Sequence, residues 1–581
     1  MKIRILFIGL LSQVAFGQLE TVKDIHAATG DDVYTNSFMY QGNTNGIIAA
    51  NDGNTGSEIY RLNPALNNIT LIKDISPGSN GSAPNQFTEL PNGNVVFTAS
   101  DGVHGTEIWV TDGTEAGTIR LVGLDNEYGD RYITYAEEVN GNVVFIARNV
   151  NANSELWITD GTPTGTQLLI DIYPGTAAGT FGPLYPYNGE VYFSARQPGT
   201  EQELWKTDGT VAGTTLVKDI WPGFGFSSPI SFVAYNNLLY FRADDGTNGR
   251  ELWVTDGTET GTQLVKDIHP TGSSNAAPQL VFNNKLYLIA NTPTNGFELW
   301  STDGTDAGTT LVKDINPSGN GFPKDFIEYN NELYFRADNG TNGAELWKTD
   351  GTEAGTILVK DINTAGNAFI GFAEQTIYNG ELYFVARDNT VDELWKTDGT
   401  SAGTLQVTNI NPTTGSGITE LTVFNNKLIF AATDGVIGRE LWTSDGITTE
   451  LLLDIFPGEK SSSPSDLIVY NNELYFVASD NIYGRELRKI NSTTLSVETV
   501  EDFQKSENLT VYPNPTTAYF SINTSSQTDI IKVEVYDRTG KFIQEIKKSQ
   551  NGYNVQNLPS GLYFIKMYTS QTSKTKKLIV R

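Results

Sequence analysis

The sequence predicts an all-β protein. The expected architecture is a β-propeller of about ten four-stranded repeats, each of about 48 residues, followed by a small C-terminal β-sandwich. Three observations carry this expectation. The octapeptide ELWKTDGT occurs unchanged at 203–210, 345–352 and 393–400. Its leading glutamate recurs at Glu58, Glu107, Glu155, Glu203, Glu251, Glu298, Glu345, Glu393, Glu440 and Glu486, in steps of 46 to 49 residues. Beyond the N-terminal apolar run, no stretch carries a helical period.

The elements follow in chain order. Residues 1–17 combine a basic start, an apolar run at 5–11 and the small-residue pattern Ala15-Phe16-Gly17. They read as a secretory signal peptide, with processing between Gly17 and Gln18. The run is too short to span a bilayer, and no other segment is a transmembrane candidate. Residues 18–502 form the repeat array. In the unit at 325–362, strands at 326–329 and 332–337 flank Asn330-Asn331, a pair suited to the positive φ angles of a type I′ turn. The third strand is ELWKTD, the tight turn GTEAG follows, and TILVKDI is the fourth strand. A Pro/Gly connection then leads to the next unit.

These strands carry apolar residues on both faces, so the sheets must be covered on both sides. Blades packed between neighbours satisfy that requirement; a flat solenoid is the runner-up. The unbroken period predicts one ring of ten, and two five-blade rings are the alternative. TVKDI at 21–25 matches a fourth strand with no first three before it. It is expected to pair with the last blade and close the ring, removing an exposed edge. The tryptophan of ELW is expected between blades, where burying ~200 Å² of indole contributes up to roughly 5 kcal/mol. Asp-Gly-Thr is turn chemistry. The first and last units depart from the pattern, with Tyr60 and Arg488 at the tryptophan position.

Residues 58–490 resemble the ELWxxDGT-repeat proteins of Bacteroidetes-type bacteria. That resemblance implies a secreted or surface location and no established catalytic residues. The turn is also similar, at a different spacing, to the Asp-box hairpin of sialidase-type propellers. After a polar linker at 503–508, residues 509–581 resemble the type A C-terminal sorting domain of the type IX secretion system. The matching residues are Tyr512, Pro513, Asn514 and Pro515, the YDRTGK turn with Gly540, the LPSGLYFIK run with Gly561 and Tyr563, and the closing stretch with Lys576 and Lys577. The resemblance implies type IX secretion machinery as a partner and removal of the domain during export.

Charge and composition narrow the function. The chain carries −29; residues 1–17 carry +2 and residues 509–581 carry +6, leaving −37 on 18–508. So acidic a body repels nucleic acid and anionic lipid. There is no cysteine, which excludes disulfides and thiol chemistry. His26, His104 and His269 lie in different units without metal-ligand spacing. No metal, catalytic or cofactor residues are assigned. The loops at 244–251 and 338–345 offer oxygen ligands to Ca²⁺ but lack EF-hand spacing, so a satisfied turn is the simpler reading. Arg148, Arg196, Arg242, Arg336 and Arg387 on second strands either face a channel or pair with nearby aspartates such as Asp244 and Asp338.

The expected function is a secreted or surface binding scaffold for a glycan or protein. The alternative is a glycan-active hydrolase or lyase. The expected ligand face is the end carrying the variable loops, where Trp221, Phe224, Phe226 and Phe322 are aromatic without an evident partner.

Overall fold

A computed structural model describes residues 20–21, 40–41, 46–52, 54–63, 68–121, 133–148, 153–175, 177–369, 374–388, 391–481, 484–491, 510–512, 516–523, 530, 532–536, 542–549, 552–559, 561–568 and 573–580. The signal segment with Gly17 and Gln18, the linker at 503–508, Pro513, Asn514, Pro515 and Gly540 lie outside them. Among the described residues every helix or strand element is a strand, so no helix is long and apolar enough to cross a membrane. The chain divides into two compact units, Met1–Ser492 and Thr493–Arg581.

The first unit holds ten four-stranded antiparallel sheets. Nine, numbered 1 to 9 in chain order, are simple meanders of consecutive strands. Sheet 7 is typical, with Lys324–Tyr329, Glu332–Asp338, Ala344–Thr349 and Ile357–Lys360. Its first turn places Asn330 at φ 50° and Asn331 at φ 60°, as the type I′ reading expects. The tenth sheet, Ser465–Tyr470, Glu473–Asp480 and Gly484–Asn491, takes its fourth strand from the other end of the unit. Glu20–Thr21 pairs antiparallel with it, Glu20 opposite Lys489 and Thr21 opposite Arg488.

Each sheet is covered on both faces by its neighbours. The second strands explain why: Leu333, Tyr334, Phe335 and Ala337 are all buried, because alternate side chains serve alternate interfaces. Trp347 of sheet 7 packs with Tyr287, Leu299, Val312 and Ile315 of sheet 6. Trp253 of sheet 5 does the same against Tyr192, Leu204 and Val217 of sheet 4. Packing is continuous near residue 270, where Tyr240 and Leu252 of sheet 5 meet Leu286, Leu288 and Trp300 of sheet 6. Sheet 10 in turn meets sheet 1: Tyr475, Val477 and Leu487 share a core with Ile48, Tyr60 and Leu62. There Tyr60 fills the place that tryptophan holds elsewhere.

The second unit has two four-stranded sheets. Thr510–Tyr512, Tyr519–Asn523, Lys548–Ser549 and Gly552–Asn554 make one; Lys532–Tyr536, Phe542–Glu545, Gly561–Tyr568 and Ser573–Val580 make the other. Phe520 and Tyr553 of the first share a core with Val533, Ile565, Met567 and Leu578 of the second. Tyr563 is buried there, Gly561 and Lys576 are exposed, and Tyr512 and Lys577 lie in strands.

Candidate functional site at the loop end of the sheets

Antiparallel meanders sort the loops to two ends. The Asn-Asn and Asp-Gly-Thr turns share one end; the loops between second and third strands share the other with the connections between sheets. The first end is fully occupied by structure. In the turn after Trp205, Asp208 Oδ1 accepts from Thr210 N at 2.8 Å and Thr210 Oγ1 at 2.7 Å, and Thr207 and Thr214 share a buried hydroxyl pair at 2.7 Å. The glycine is required twice over. Gly257 has φ +88°, and a Cβ there would stand 2.5 Å from the Tyr192 hydroxyl of the preceding sheet. The lysine of the fourth strand reaches across as well: Lys218 Nζ donates to Thr262 O at 2.8 Å, and Lys360 Nζ to Thr404 O at 2.6 Å.

The glutamate that opens ELW is the feature that pattern reading missed. Glu58, Glu155, Glu203, Glu251, Glu298, Glu345, Glu393 and Glu440 are fully buried. Each accepts a backbone N–H from the isoleucine of the KDI strand: Ile75 to Glu58 and Ile362 to Glu345, both at 2.9 Å, for example. The second oxygen takes further donors from the connection, such as Asn363 N at 3.2 Å on Glu345 or Ser274 N at 2.8 Å on Glu251. One carboxylate thus staples the chain where it leaves each of these eight sheets. The signal was present: glutamate survives in the first and last units, where tryptophan does not.

Burial raises the carboxyls of Glu58, Glu251 and Glu440 despite the N–H bonds that pull the other way, and takes Glu155, Glu203, Glu298 and Glu345 to about 7. Their folded pKa lies above the unfolded value, so their contribution is complete below the unfolded pKa and is lost as pH rises through about 7. The turn aspartates, Asp208, Asp256 and Asp350 among them, are held low by threonine hydroxyl and N–H bonds. Their contribution is lost only as pH falls through their lowered values. A melting temperature roughly 5 °C higher at pH 5.5 than at pH 8 is therefore expected, each kcal/mol being worth ~2–4 °C in larger domains. Glu298→Gln should flatten the slope; a wild-type profile that rises with pH would contradict the assignment.

The loop end is different. Trp221 is half-buried and lies so close to Gly225 and Gly246 that a Cβ on either would overlap its ring. Phe224, Phe226 and Phe322 are exposed, at 86%, 50% and 52%. They do not form one cluster: Phe322 sits two connections further along and stacks on Phe297, with ring centroids 5.6 Å apart. A cavity of about 360 Å³ opens beside Phe322, lined also by Lys324, Arg336, Asp338, Asn367 and Phe369. A second, of about 430 Å³, lies against His269, Asn291 and Asn320.

Three of the second-strand arginines, Arg196, Arg336 and Arg387, pair with acids, though not those expected, while Arg242 Nε is buried without a hydrogen-bond partner among the described residues. Arg336 is 9% exposed, with its Nε 2.5 Å from Asp325 rather than Asp338, and Arg387 holds Asp392 through two bonds of 2.8 and 2.9 Å. Arg196 Nε donates to Ala178 O at 2.7 Å, and its guanidinium lies over Tyr173. The loop acids proposed as Ca²⁺ ligands serve their own turns: Asp245 Oδ1 accepts from Thr247 N and Asn248 N, and Asp338 Oδ1 from Gly340 N. Among the described residues no three His, Cys, Asp or Glu gather as a metal site. His104 is bound to Asp101 at 2.6 Å within its own loop; His26 lies outside the described residues.

A family model of secretion system C-terminal sorting domains matches residues 510–581. That tail makes this an exported protein, secreted or held at the cell surface, and type IX secretion machinery is its partner. A search of curated proteins finds no match. Among solved structures, a puromycin hydrolase is 14% identical, over 62% of this chain and 59% of that one, with a TM-score of 0.29. The tricorn protease is 11% identical, over 93% and 47%, at 0.23. An extracellular domain assigned to a one-component system of B. thetaiotaomicron is 11% identical, over 95% and 76%, at 0.27. The chain spans about six tenths of the length of the puromycin hydrolase. Likeness at this level assigns no activity.

Proposed function

We propose that the ten sheets are blades of a single closed β-propeller, and that this propeller is a binding scaffold for a glycan or protein ligand, presented outside the cell. The closed reading is supported by packing of each sheet on the next, by the shared core of sheets 10 and 1, and by the strand Glu20–Thr21. The basic and apolar N-terminus would direct the chain into the export route, with cleavage after Gly17.

The binding reading rests on one observation above all. The repeat's own polar groups, from Glu345 to Thr356, are engaged in holding the sheets together, whereas exposed aromatics and cavities lie at the loop end. Such commitment of the repeated carboxylates favours binding over hydrolysis. The full chain should give saturable binding on a glycan or protein array, without releasing reducing ends from the polysaccharides it binds. Release of reducing ends, or an absence of any ligand on both arrays, overturns the reading.

A further inference from the structure

We propose that the cavity beside Phe322 is a subsite for one neutral pyranose ring; this rests on the binding-scaffold reading and narrows its ligand. The cavity lies at the loop end of sheet 7, between the connection that enters the sheet and the one that leaves it. Its volume of about 360 Å³ is at the small end of ligand pockets, a size for one or two sugar rings rather than a folded partner.

Three features select the chemistry. First, Phe322 is half-exposed while its ring is braced by Phe297, which leaves a fixed aromatic surface for the C–H face of a sugar. Phe369, buried on the opposite connection, adds an apolar wall. Second, charge is balanced. The lining carries Lys324, Arg336 and Asp338, and Arg336 is already neutralised by Asp325, which lies outside the lining, so Lys324 and Asp338 offset each other. The site therefore offers no net field to draw in a carboxylate, sulfate or phosphate. Third, its planar polar groups are pre-oriented. Asn367 Oδ1 accepts from Ala344 N at 2.8 Å, which directs its exposed amide Nδ2 outward. Asp338 Oδ1 accepts from Gly340 N at 2.7 Å, leaving Oδ2 for a further donor. An amide donor and a carboxylate acceptor beside an aromatic face match the vicinal hydroxyls and apolar face of a hexopyranose.

The test uses the full-length chain and methyl glycosides of neutral hexoses, observed by saturation-transfer NMR, with methyl glucuronide as the acidic comparison. Transfer to at least one neutral glycoside is expected, strongest to its ring C–H protons. Phe322→Ser and Asp338→Asn should each weaken it at least tenfold with the melting temperature unchanged. Val211→Ser, exposed in a turn at the opposite end of the sheets, should leave it intact and serves as the control. Transfer to the glucuronide alone overturns the proposal, as does neutral-sugar binding that survives both substitutions. If glycans bind on the array but Phe322→Ser has no effect, the subsite is wrong and the scaffold reading stands. If nothing binds on either array, both fail.

Discussion

Trp347→Ala is expected to destabilise the sheet array by about 3–5 kcal/mol, the range for removing a buried aromatic side chain. The indole is 5% exposed and fills the interface between sheets 6 and 7, against Tyr287, Leu299 and Val312. Neither sheet can close over the loss, because each is clamped on its other face by a further neighbour. Denaturant unfolding followed by far-UV circular dichroism would measure it. Trp442, only half-buried in sheet 9, supplies a graded comparison and should cost less. An unchanged midpoint for Trp347→Ala, with ligand binding reduced, would mean that the tryptophans are binding platforms rather than core.

Glu345→Ala should cost a comparable amount for a different reason. Truncation strands the N–H groups of Ile362 and Asn363 in a buried site, each unsatisfied donor costing ~1–3 kcal/mol. A loss of about 4 kcal/mol is expected. Glu345→Gln keeps the shape but turns an amide NH₂ toward backbone donors, so it should recover only part of that loss. Hydrogen exchange separates this from general destabilisation. The amides of Ile362 and Asn363 should exchange faster in Glu345→Ala, well before those of Leu333 and Phe335 on the second strand. Uniform exchange across sheet 7 would argue that the glutamate is an ordinary core residue.

Much of the fold was legible because the repeat writes its rules ten times. Asn330-Asn331 marked a turn, LYF marked a strand buried on both faces, and TVKDI without a preceding hairpin marked a strand that must find partners elsewhere. Glu20–Thr21 pairs in sheet 10, which bears on Thr21 of that segment, while residues 22–25 lie outside the described residues. What stayed hidden was chemistry that depends on distance in space. Glutamate looks solvent-facing by type, and only its satisfied hydrogen bonds make it a buried residue. Arg336 was expected beside Asp338, two residues away, yet it reaches Asp325 on the neighbouring strand, because residue 324 of that strand lies opposite it in register. At the loop end, Phe322 was visible as an unmatched aromatic. Asn367 and Phe369 were not, since they come from the following connection and no spacing rule links them to it.

The pairing of Glu20–Thr21 with Arg488 and Lys489 also bears on the timing of assembly. Nine sheets can complete themselves from contiguous chain as it emerges. The tenth cannot, because its outer strand and its other three stand at opposite ends of the unit. Its final step joins residues separated by almost the whole unit, the kind of non-local contact that forms late. A chain still threading through a transport pore therefore holds an open edge, and that edge is sealed only once the last repeat is through. Sealing therefore comes before release, since the second unit still follows the last repeat, and a chain stalled before residue 491 is expected to be the form most exposed to proteases.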